Sequence, residues 1–331
     1  MQSKYHHLIP QTYLSAWANP SGTLKIERNS TKKIEFRNTK SVAGINHYHS
    51  IIAGMSLCNK NDTDTFFYIL KDYNVSYNGM NLRNTLEMNK YYHMFNEWSI
   101  TRADGSIVNK RSLKNKIDQI KIQDIENLWA EKYENKWSAV RKIIEEKVLT
   151  NKSSVPRFYF EYLTRFYVVL DWRSFTSNEE FSSAFEEISS NQLCLNKIEI
   201  PKDERELPMF ETVSDYTKHC LLLRYYRQFL NDNGIIYEHA KQLMRKITFR
   251  FLVTEGNTKF ITSDNPSFMN NNSNGTKTGM LPISPNILMI IGKDSSNKDK
   301  YYITKISDLE VQKCNEIIKK HSGQFVVIDN T

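Results

Sequence analysis

The spacing of apolar residues between positions 117 and 148 is the sequence feature that most constrains the fold. Apolar side chains recur there at steps of three and four, which places them along one face of an amphipathic helix. Residues 158–172 are apolar on nearly every side, as is typical of a helix inside a helical bundle. Further helices are predicted at about 210–230 and 237–246, so the region 110–246 is predicted to be helical.

Strand patterns replace the helical spacing after residue 246. Short runs rich in β-branched and aromatic residues predict strands at 247–253, 259–262, 287–291 and 325–328, with a helix at 307–320. Near the N-terminus, residues 24–28 and 33–36 alternate around a polar turn, which predicts a β-hairpin. We therefore expect an α+β fold, in which the helical middle packs on a mixed or antiparallel sheet formed by this hairpin and the C-terminal strands.

The length of 331 residues and the hydrophobic content of 40% are enough for a sizeable buried core. We predict one α+β domain over residues 1–331, with an N-terminal motif and hairpin (1–60), a helical region (110–246) and C-terminal strands with a helix (247–331). The four cysteines lack the spacing of a zinc site or a disulfide framework. Because no apolar run approaches the about 20 residues of a membrane span, we expect a cytoplasmic protein without a membrane partner.

The formal net charge of +8 permits an anionic partner such as nucleic acid. The 45 basic residues are dispersed along the chain among 37 acidic ones, so a merely basic soluble protein fits the composition equally well. Charge alone therefore does not select a partner.

Residues 5–14 contain the adjacent histidines His6 and His7 close to a proline. Adjacent side chains point in different directions in either regular structure, so one imidazole can face a ligand while its neighbour packs or hydrogen-bonds. The alternative is that both histidines are structural and anchor the N-terminus. A second histidine pair, His47-x-His49, would point to one face of a strand, although two surface histidines fit this pattern better.

Residues 260–266 combine a strand end with Ser263, Asp264 and Asn265. Pro266 keeps Asn265 out of the helical region, so the three polar side chains are predicted at the end of the strand. The alternative is an Asx turn, in which Asp264 caps its own backbone.

Together these motifs favour a site with acid–base or metal chemistry. An aspartate that orients a histidine is the base-and-orienter pair of hydrolytic sites, and the same two residue types can hold a divalent metal ion. The sequence lacks a Walker loop, a dinucleotide glycine fingerprint and the His-Glu-x-x-His pattern. Nucleotide-driven enzymes and zinc proteases are therefore disfavoured. The charged residues of the apolar helix, Asp171 and Arg173 among them, each require a partner.

The motifs resemble those of the mostly bacterial domain of unknown function family forty-two thirty-eight, His-His-x-x-Pro-x-x-Tyr-Leu and Phe-x-Thr-Ser-Asp-Asn-Pro. The resemblance continues through glutamates Glu126 and Glu134 and ends at Asn315 in the last helix. The family tends to carry Gln-x-x-Arg in its middle helix, whereas this chain has Leu170 and Arg173 at those positions. Some members of the family are antiphage defence proteins found among mobile elements.

The resemblance implies defence by toxicity to the infected cell, and the residues add a chemical hypothesis. The predicted catalytic residues are His6, His7, Asp264 and Asn265, and the predicted substrate-binding residues are Gln11, Arg173 and Ser263. In this hypothesis His7 is the base, Asp264 orients it or binds a metal, and Arg173 clamps a phosphate or pairs with Asp264.

The expected function is an abortive-infection effector that hydrolyses a phosphate-containing substrate such as nucleic acid, after a phage-derived trigger. The alternative is a non-catalytic sensor or binding protein, in which the two motifs are structural. The sequence leaves open the divalent metal, the oligomeric state and the substrate.

Overall fold

The structure is a computed structural model that describes residues 4–106, 108–175, 177–292 and 299–329. Its helices are α1 Gln11–Leu14, α2 Lys60–Phe67, α3 Thr85–Lys90, α4 Lys110–Asp118, α5 Asp124–Trp129, α6 Asn135–Thr150, α7 Phe160–Arg173, α8 Glu179–Glu186, α9 Val213–Leu230, α10 Gly234–Lys246 and α11 Asp308–His321. Its strands are β1 Tyr5–His7, β2 Thr23–Arg28, β3 Ile34–Asn38, β4 Gly44–Asn46, β5 Tyr73–Tyr77, β6 Met80–Asn81, β7 Ser99–Arg102, β8 Ser154–Pro156, β9 Thr248–Thr254, β10 Thr262–Ser263, β11 Phe268–Asn271, β12 Lys277–Ser284, β13 Ile287–Gly292, β14 Lys300–Ile306 and β15 Phe325–Ile328.

The chain divides into two compact units. Unit 1 comprises Met1–Asn46, Leu128–Gln192 and Asp232–Thr331, and unit 2 comprises His47–Asn127 and Leu193–Asn231. Unit 2 is thus built from two stretches that interrupt unit 1 in sequence. The organisation as one domain, expected from the length, stays a prediction.

Unit 1 contains three sheets, and the predicted α+β class is confirmed. Six strands lie in the order β11-β12-β13-β9-β14-β8 and are antiparallel except for the parallel pair β14 and β9. A second, antiparallel sheet has the order β10-β15-β2-β3, and β1 pairs with β4. The predicted N-terminal hairpin is β2 and β3. The C-terminal strands are shared between the two larger sheets, because β15 and β10 extend the hairpin while the others form the six-stranded sheet.

The central strands of the six-stranded sheet follow from their sequences. Strand β13 is a nearly continuous apolar run that is buried on both faces, whereas β9 alternates between buried and more exposed positions. The sequence analysis did not predict β12, in which Gly279 and Pro282 interrupt the strand pattern. Gly279 is required there because the Tyr167 hydroxyl would lie 2.7 Å from a Cβ atom at this position. The pairing of β12 with β13 shifts register between Pro282 and Ser284.

The helix predicted at residues 117–148 is divided. Helix α4 ends at Asp118, and helical structure resumes at Asp124 and continues through a π-helix, Ala130–Glu134, into α6. The apolar residues Trp129, Tyr133 and Trp137 are buried although they are spaced by four. Each step of four overshoots the 3.6-residue turn by about 40°, and the wider π-helical turn absorbs this rotation.

The other predicted helices are present with shifted ends. Helix α7 is buried on nearly all sides, as predicted, and begins after Tyr159, which has a left-handed backbone (φ 47°). Capping boxes start α9 at Thr212 and α11 at Ser307. The Thr212 hydroxyl accepts from the Asp215 N–H, and the Ser307 N–H donates to the Glu310 carboxylate. Among the residues that the structure describes, no helix has the length and apolar character that crossing a bilayer requires.

Unit 2 contains a three-stranded sheet in the order β6-β5-β7 and helices α2, α3, α4 and α9. Its core is aromatic, with Phe67, Tyr92 and Trp98 in mutual ring contact. Arg227 of α9 binds Asp62 with two guanidinium nitrogens, at 2.7 and 3.0 Å, and Asp124 at 2.8 Å. This ion-pair network fastens α9 to α2 and to the start of α5.

Candidate functional site

The N-terminal motif holds His7 in one tautomer. Strand β1 pairs with β4, and both His6 and His7 are buried. The His7 Nδ1 atom lies 3.2 Å from the Val42 carbonyl oxygen. A carbonyl oxygen only accepts hydrogen bonds, so His7 Nδ1 carries the proton. Nε2 then has a lone pair, and the Gln11 amide donates to it at 2.6 Å. The result is a fixed, neutral imidazole with a basic nitrogen on the side of Gln11.

Arg173 joins the same group of residues from the end of α7. Its guanidinium donates to the Glu134 carboxylate and to the His7 backbone carbonyl, and its side chain is 1% exposed. The guanidinium carbon also lies 5.1 Å from the centre of the Trp129 ring. Glu134 is the last residue of the π-helix, so that helical irregularity carries the carboxylate that neutralises Arg173. Arg173 therefore holds the backbone of His7 in place.

The late motif binds backbone groups. The two Asp264 carboxylate oxygens accept from the backbone N–H groups of Gly323 (2.9 Å) and Gln324 (2.5 Å). Ser263 Oγ donates to the Asn265 carbonyl at 2.9 Å, and Asn265 Nδ2 donates to the His321 carbonyl at 3.0 Å. These three side chains form what we call the backbone clasp, which ties the end of β10 to residues 321–324.

Burial raises the pKa of Asp264, and the hydrogen bonds from the backbone act in the opposite direction. Asp264 is 1% exposed, so its carboxyl group lies in the protein interior. Burial likewise raises the pKa of Tyr13, whose phenol therefore stays neutral.

The two motifs do meet, through residues other than the expected ones. The Tyr13 hydroxyl donates to the Pro282 carbonyl and accepts from the Thr262 hydroxyl, both at 2.8 Å. Trp17 Nε1 donates to the Phe260 carbonyl at 2.8 Å. The bond to Thr262 joins the N-terminal motif to β10, the strand that precedes Asp264, and the bond from Trp17 reaches the segment before that strand.

The structure thus gathers His7, Gln11 and Arg173 in one group and Ser263, Asp264 and Asn265 in another. Within the described part of the chain, the hydrogen bonds of Asp264 go to backbone groups and not to a histidine. The Val42 carbonyl orients His7, a role that was predicted for Asp264. Arg173 pairs with Glu134 and not with Asp264, because α7 ends next to the π-helix.

Unit 2 contains an imidazole–carboxylate pair of its own. The His49 Nδ1 atom is hydrogen-bonded to the Glu126 carboxylate, and His49 is completely buried. The His49 ring contacts the Tyr226 ring edge-on, with centroids 5.8 Å apart. A histidine nitrogen and a carboxylate oxygen are ligand types that divalent metals use in proteins. The sequence signals for this pair were the His47-x-His49 pattern and the family position Glu126.

The family described as Protein of unknown function (DUF4238) matches residues 5–331. The chain is a DUF4238 protein. No curated protein and no solved structure matches it. The match covers both units and both signature motifs.

Two family positions of this DUF4238 protein acquire a physical role from the structure. Glu134 is the partner of Arg173, and it could have been sought from sequence because a buried arginine requires a carboxylate. Asn315 accepts from the Ile261 N–H at 3.1 Å and donates to the Lys259 carbonyl at 2.8 Å, so it holds the chain before β10. Leu170, which stands where the family tends to have glutamine, is buried and apolar.

Proposed function

We propose that this DUF4238 protein is an abortive-infection effector of antiphage defence that acts on a phosphate-containing substrate such as nucleic acid. The observation that carries the chemical part is the tautomer of His7, because its Nε2 lone pair is fixed by two hydrogen bonds. The role in defence rests on the family resemblance. A phage-derived trigger and a cytoplasmic location belong to the same proposal.

In this mechanism His7 Nε2 accepts a proton from water, and the oxygen of that water forms a bond to phosphorus as the leaving oxygen departs. Gln11 gives up its hydrogen bond to Nε2 and donates to the substrate instead. Arg173 is a positioning residue, since its guanidinium is committed to Glu134 and to the His7 carbonyl. A divalent metal remains compatible with this proposal.

The test compares His7→Asn with Tyr13→Phe in a phage-challenged bacterial host. The asparagine amide can still donate to Val42 but provides no basic nitrogen, so we expect loss of protection at an unchanged melting temperature. Tyr13→Phe removes a structural hydroxyl and is expected to lower stability by about 1–2 kcal/mol while protection remains. Plaque counts, DNA and RNA integrity and melting temperature are measured together. Full protection with His7→Asn would show that His7 is not the base.

The backbone clasp favours a second candidate, a non-catalytic sensor or binding protein. Both carboxylate oxygens of Asp264 accept hydrogen bonds from backbone N–H groups, as the structural interpretation of the late motif requires. Under this candidate nucleic acid stays intact in every strain, and loss of protection follows loss of melting temperature in both variants.

A further inference from the structure

Unit 1 contains a shallow cavity of about 470 Å³, largely open to solvent, between the π-helix and the start of α7. Aromatic rings form much of its wall, among them those of Tyr133, Tyr159 and Tyr162. The Tyr162 hydroxyl donates to the Tyr133 backbone carbonyl at 2.8 Å, and the two rings lie 6.0 Å apart. The cavity wall is therefore built around a helical irregularity, and π-helical turns are frequent at functional sites.

Tyr159 is held in an unusual backbone conformation beside this cavity. Its φ of 47° lies in the left-handed region, where a bulky residue is an outlier. The side chain is nevertheless 46% exposed, so core packing does not account for the choice of tyrosine. Strained residues of this kind are concentrated at ligand clamps. Tyr159 therefore contributes a partly exposed aromatic ring to the wall of this cavity.

The cations around the cavity differ in whether a carboxylate already pairs with them. Arg165 pairs with Glu161 at 2.7 Å and with Asp232 at 2.6 Å, and Lys132 lies 3.4 Å from Asp232. Lys136 lines the cavity, is exposed and has no ion pair with any residue that the structure describes. Lys136 is thus the cation best placed to meet an anion.

The phenols of the cavity do not oppose an anion. Burial raises the pKa of Tyr133 to about 12 and raises that of Tyr162 as well, so both hydroxyls remain neutral near pH 7. A ligand that suits this wall has a flat aromatic ring to stack on a tyrosine and a negative charge to meet a lysine.

We propose that this cavity binds a nucleoside phosphate, whose base stacks on Tyr159 or Tyr162 and whose phosphate meets Lys136 and Lys132. The ligand can be a free nucleotide or one nucleotide of a single strand, since both carry the same chemistry. The site is separate from the proposed chemistry of His7, so it can bind even if the protein hydrolyses nothing.

The test measures binding of AMP, of ATP and of a fluorescein-labelled ten-nucleotide DNA strand to the full-length protein. The variants are Lys136→Glu and Tyr159→Gly, with Lys142→Glu as the matched control. Lys142 is also an exposed lysine of α6, and it does not line the cavity. Glycine adopts a positive φ without strain, so Tyr159→Gly is expected to keep the melting temperature while it removes the stacking ring.

We expect both cavity variants to weaken binding about tenfold or more, in line with the loss of a base–aromatic stack or a phosphate contact. Lys142→Glu is expected to bind like the wild type. Binding of AMP or ATP would support a small-molecule site, and binding of the strand alone would support single-strand recognition. The proposal is overturned if the wild type binds none of the three probes, or if Lys142→Glu weakens binding as much as Lys136→Glu. A separate failure of His7→Asn to abolish protection would leave this site unaffected.

Discussion

At the scale of single residues, Asp264 shows how a carboxylate can serve the fold. Each of its oxygens faces a backbone N–H donor, and the group is buried. A buried donor left without an acceptor costs about 1–3 kcal/mol. The clasp therefore depends on both oxygens being acceptors.

Asp264→Asn is expected to reduce the free energy of unfolding by about 1–3 kcal/mol, because one acceptor becomes an NH₂ group that faces another donor. Urea denaturation of the purified protein measures the change. Glu186→Gln, at an exposed position of α8, removes the same charge and is expected to leave stability nearly unchanged. Equal stability of wild type and Asp264→Asn would mean that the clasp contributes nothing.

Residues with ionisable side chains were easier to identify from the sequence than their hydrogen-bond partners. His7 and Arg173 could be selected because imidazole and guanidinium groups in apolar surroundings need hydrogen-bond partners. The partner of His7 is the Val42 carbonyl, and nothing in a sequence marks one carbonyl among all the others. Glu134 was marked in the sequence as a family position, but its pairing with Arg173 depends on the π-helix that brings the two side chains together.

At the scale of elements, α7 combines an apolar surface with an ionisable group. The pKa of Asp171 is raised to about 7, chiefly by burial; a hydrogen bond from Asn178 opposes the shift, and the nearby Glu180 and Glu179 add to it. Well below the pKa of about 3.9 that an aspartate has in an unfolded chain, the group is neutral in both states. As the pH rises towards 7 the unfolded chain ionises more easily, so the native state loses stability.

Asp171→Asn is expected to remove this loss, because the amide resembles the protonated acid and can still accept from Asn178. The gain in free energy of unfolding at pH 8 is expected to reach up to about 4 kcal/mol, with little difference at pH 4. Urea denaturation at the two pH values measures both terms. The same difference between variant and wild type at both pH values would contradict a role for ionisation.

Elements with regular patterns were predictable, and those shaped by tertiary contacts were not. Helix α7 and strands β2, β9, β13 and β15 follow their apolar spacing closely. Strand β12 was not predicted from the sequence because Gly279 interrupts its pattern. This glycine makes room for Tyr167, and a sequence pattern does not reveal that contact. The π-helix does leave a signal in the sequence, the repeated spacing of four between buried aromatic residues, although the same spacing also predicts a regular helix.

At the scale of the whole molecule, unit 2 contains a buried imidazole that makes the native state sensitive to acid. In unit 2 the ring of His219 contacts those of Tyr48 and Phe210, with centroids 4.6 and 4.7 Å apart. Burial, and next the nearby His49, lower the pKa of His219 to about 3. The unfolded chain binds a proton at this residue near pH 6.5, so stability is lost as the pH falls below that value.

His219→Phe is expected to reduce the acid sensitivity of unit 2, since a phenyl ring keeps the aromatic contacts and cannot be protonated. Between pH 8 and pH 5, the free energy of unfolding should fall by about 2 kcal/mol less in the variant than in the wild type. Chemical denaturation followed by hydrogen exchange in residues 47–127 and 193–231 locates the effect. An unchanged acid response of these segments would rule out His219 as its origin.

The position of β15 also governs when unit 1 can be completed. Residues 325–328 lie between β10 and β2, so the N-terminal hairpin lacks its inner neighbour until residue 328 has left the ribosome. Until then β2 offers an open edge to other chains. A ribosome that stalls before residue 325 would release a chain whose sheet cannot close.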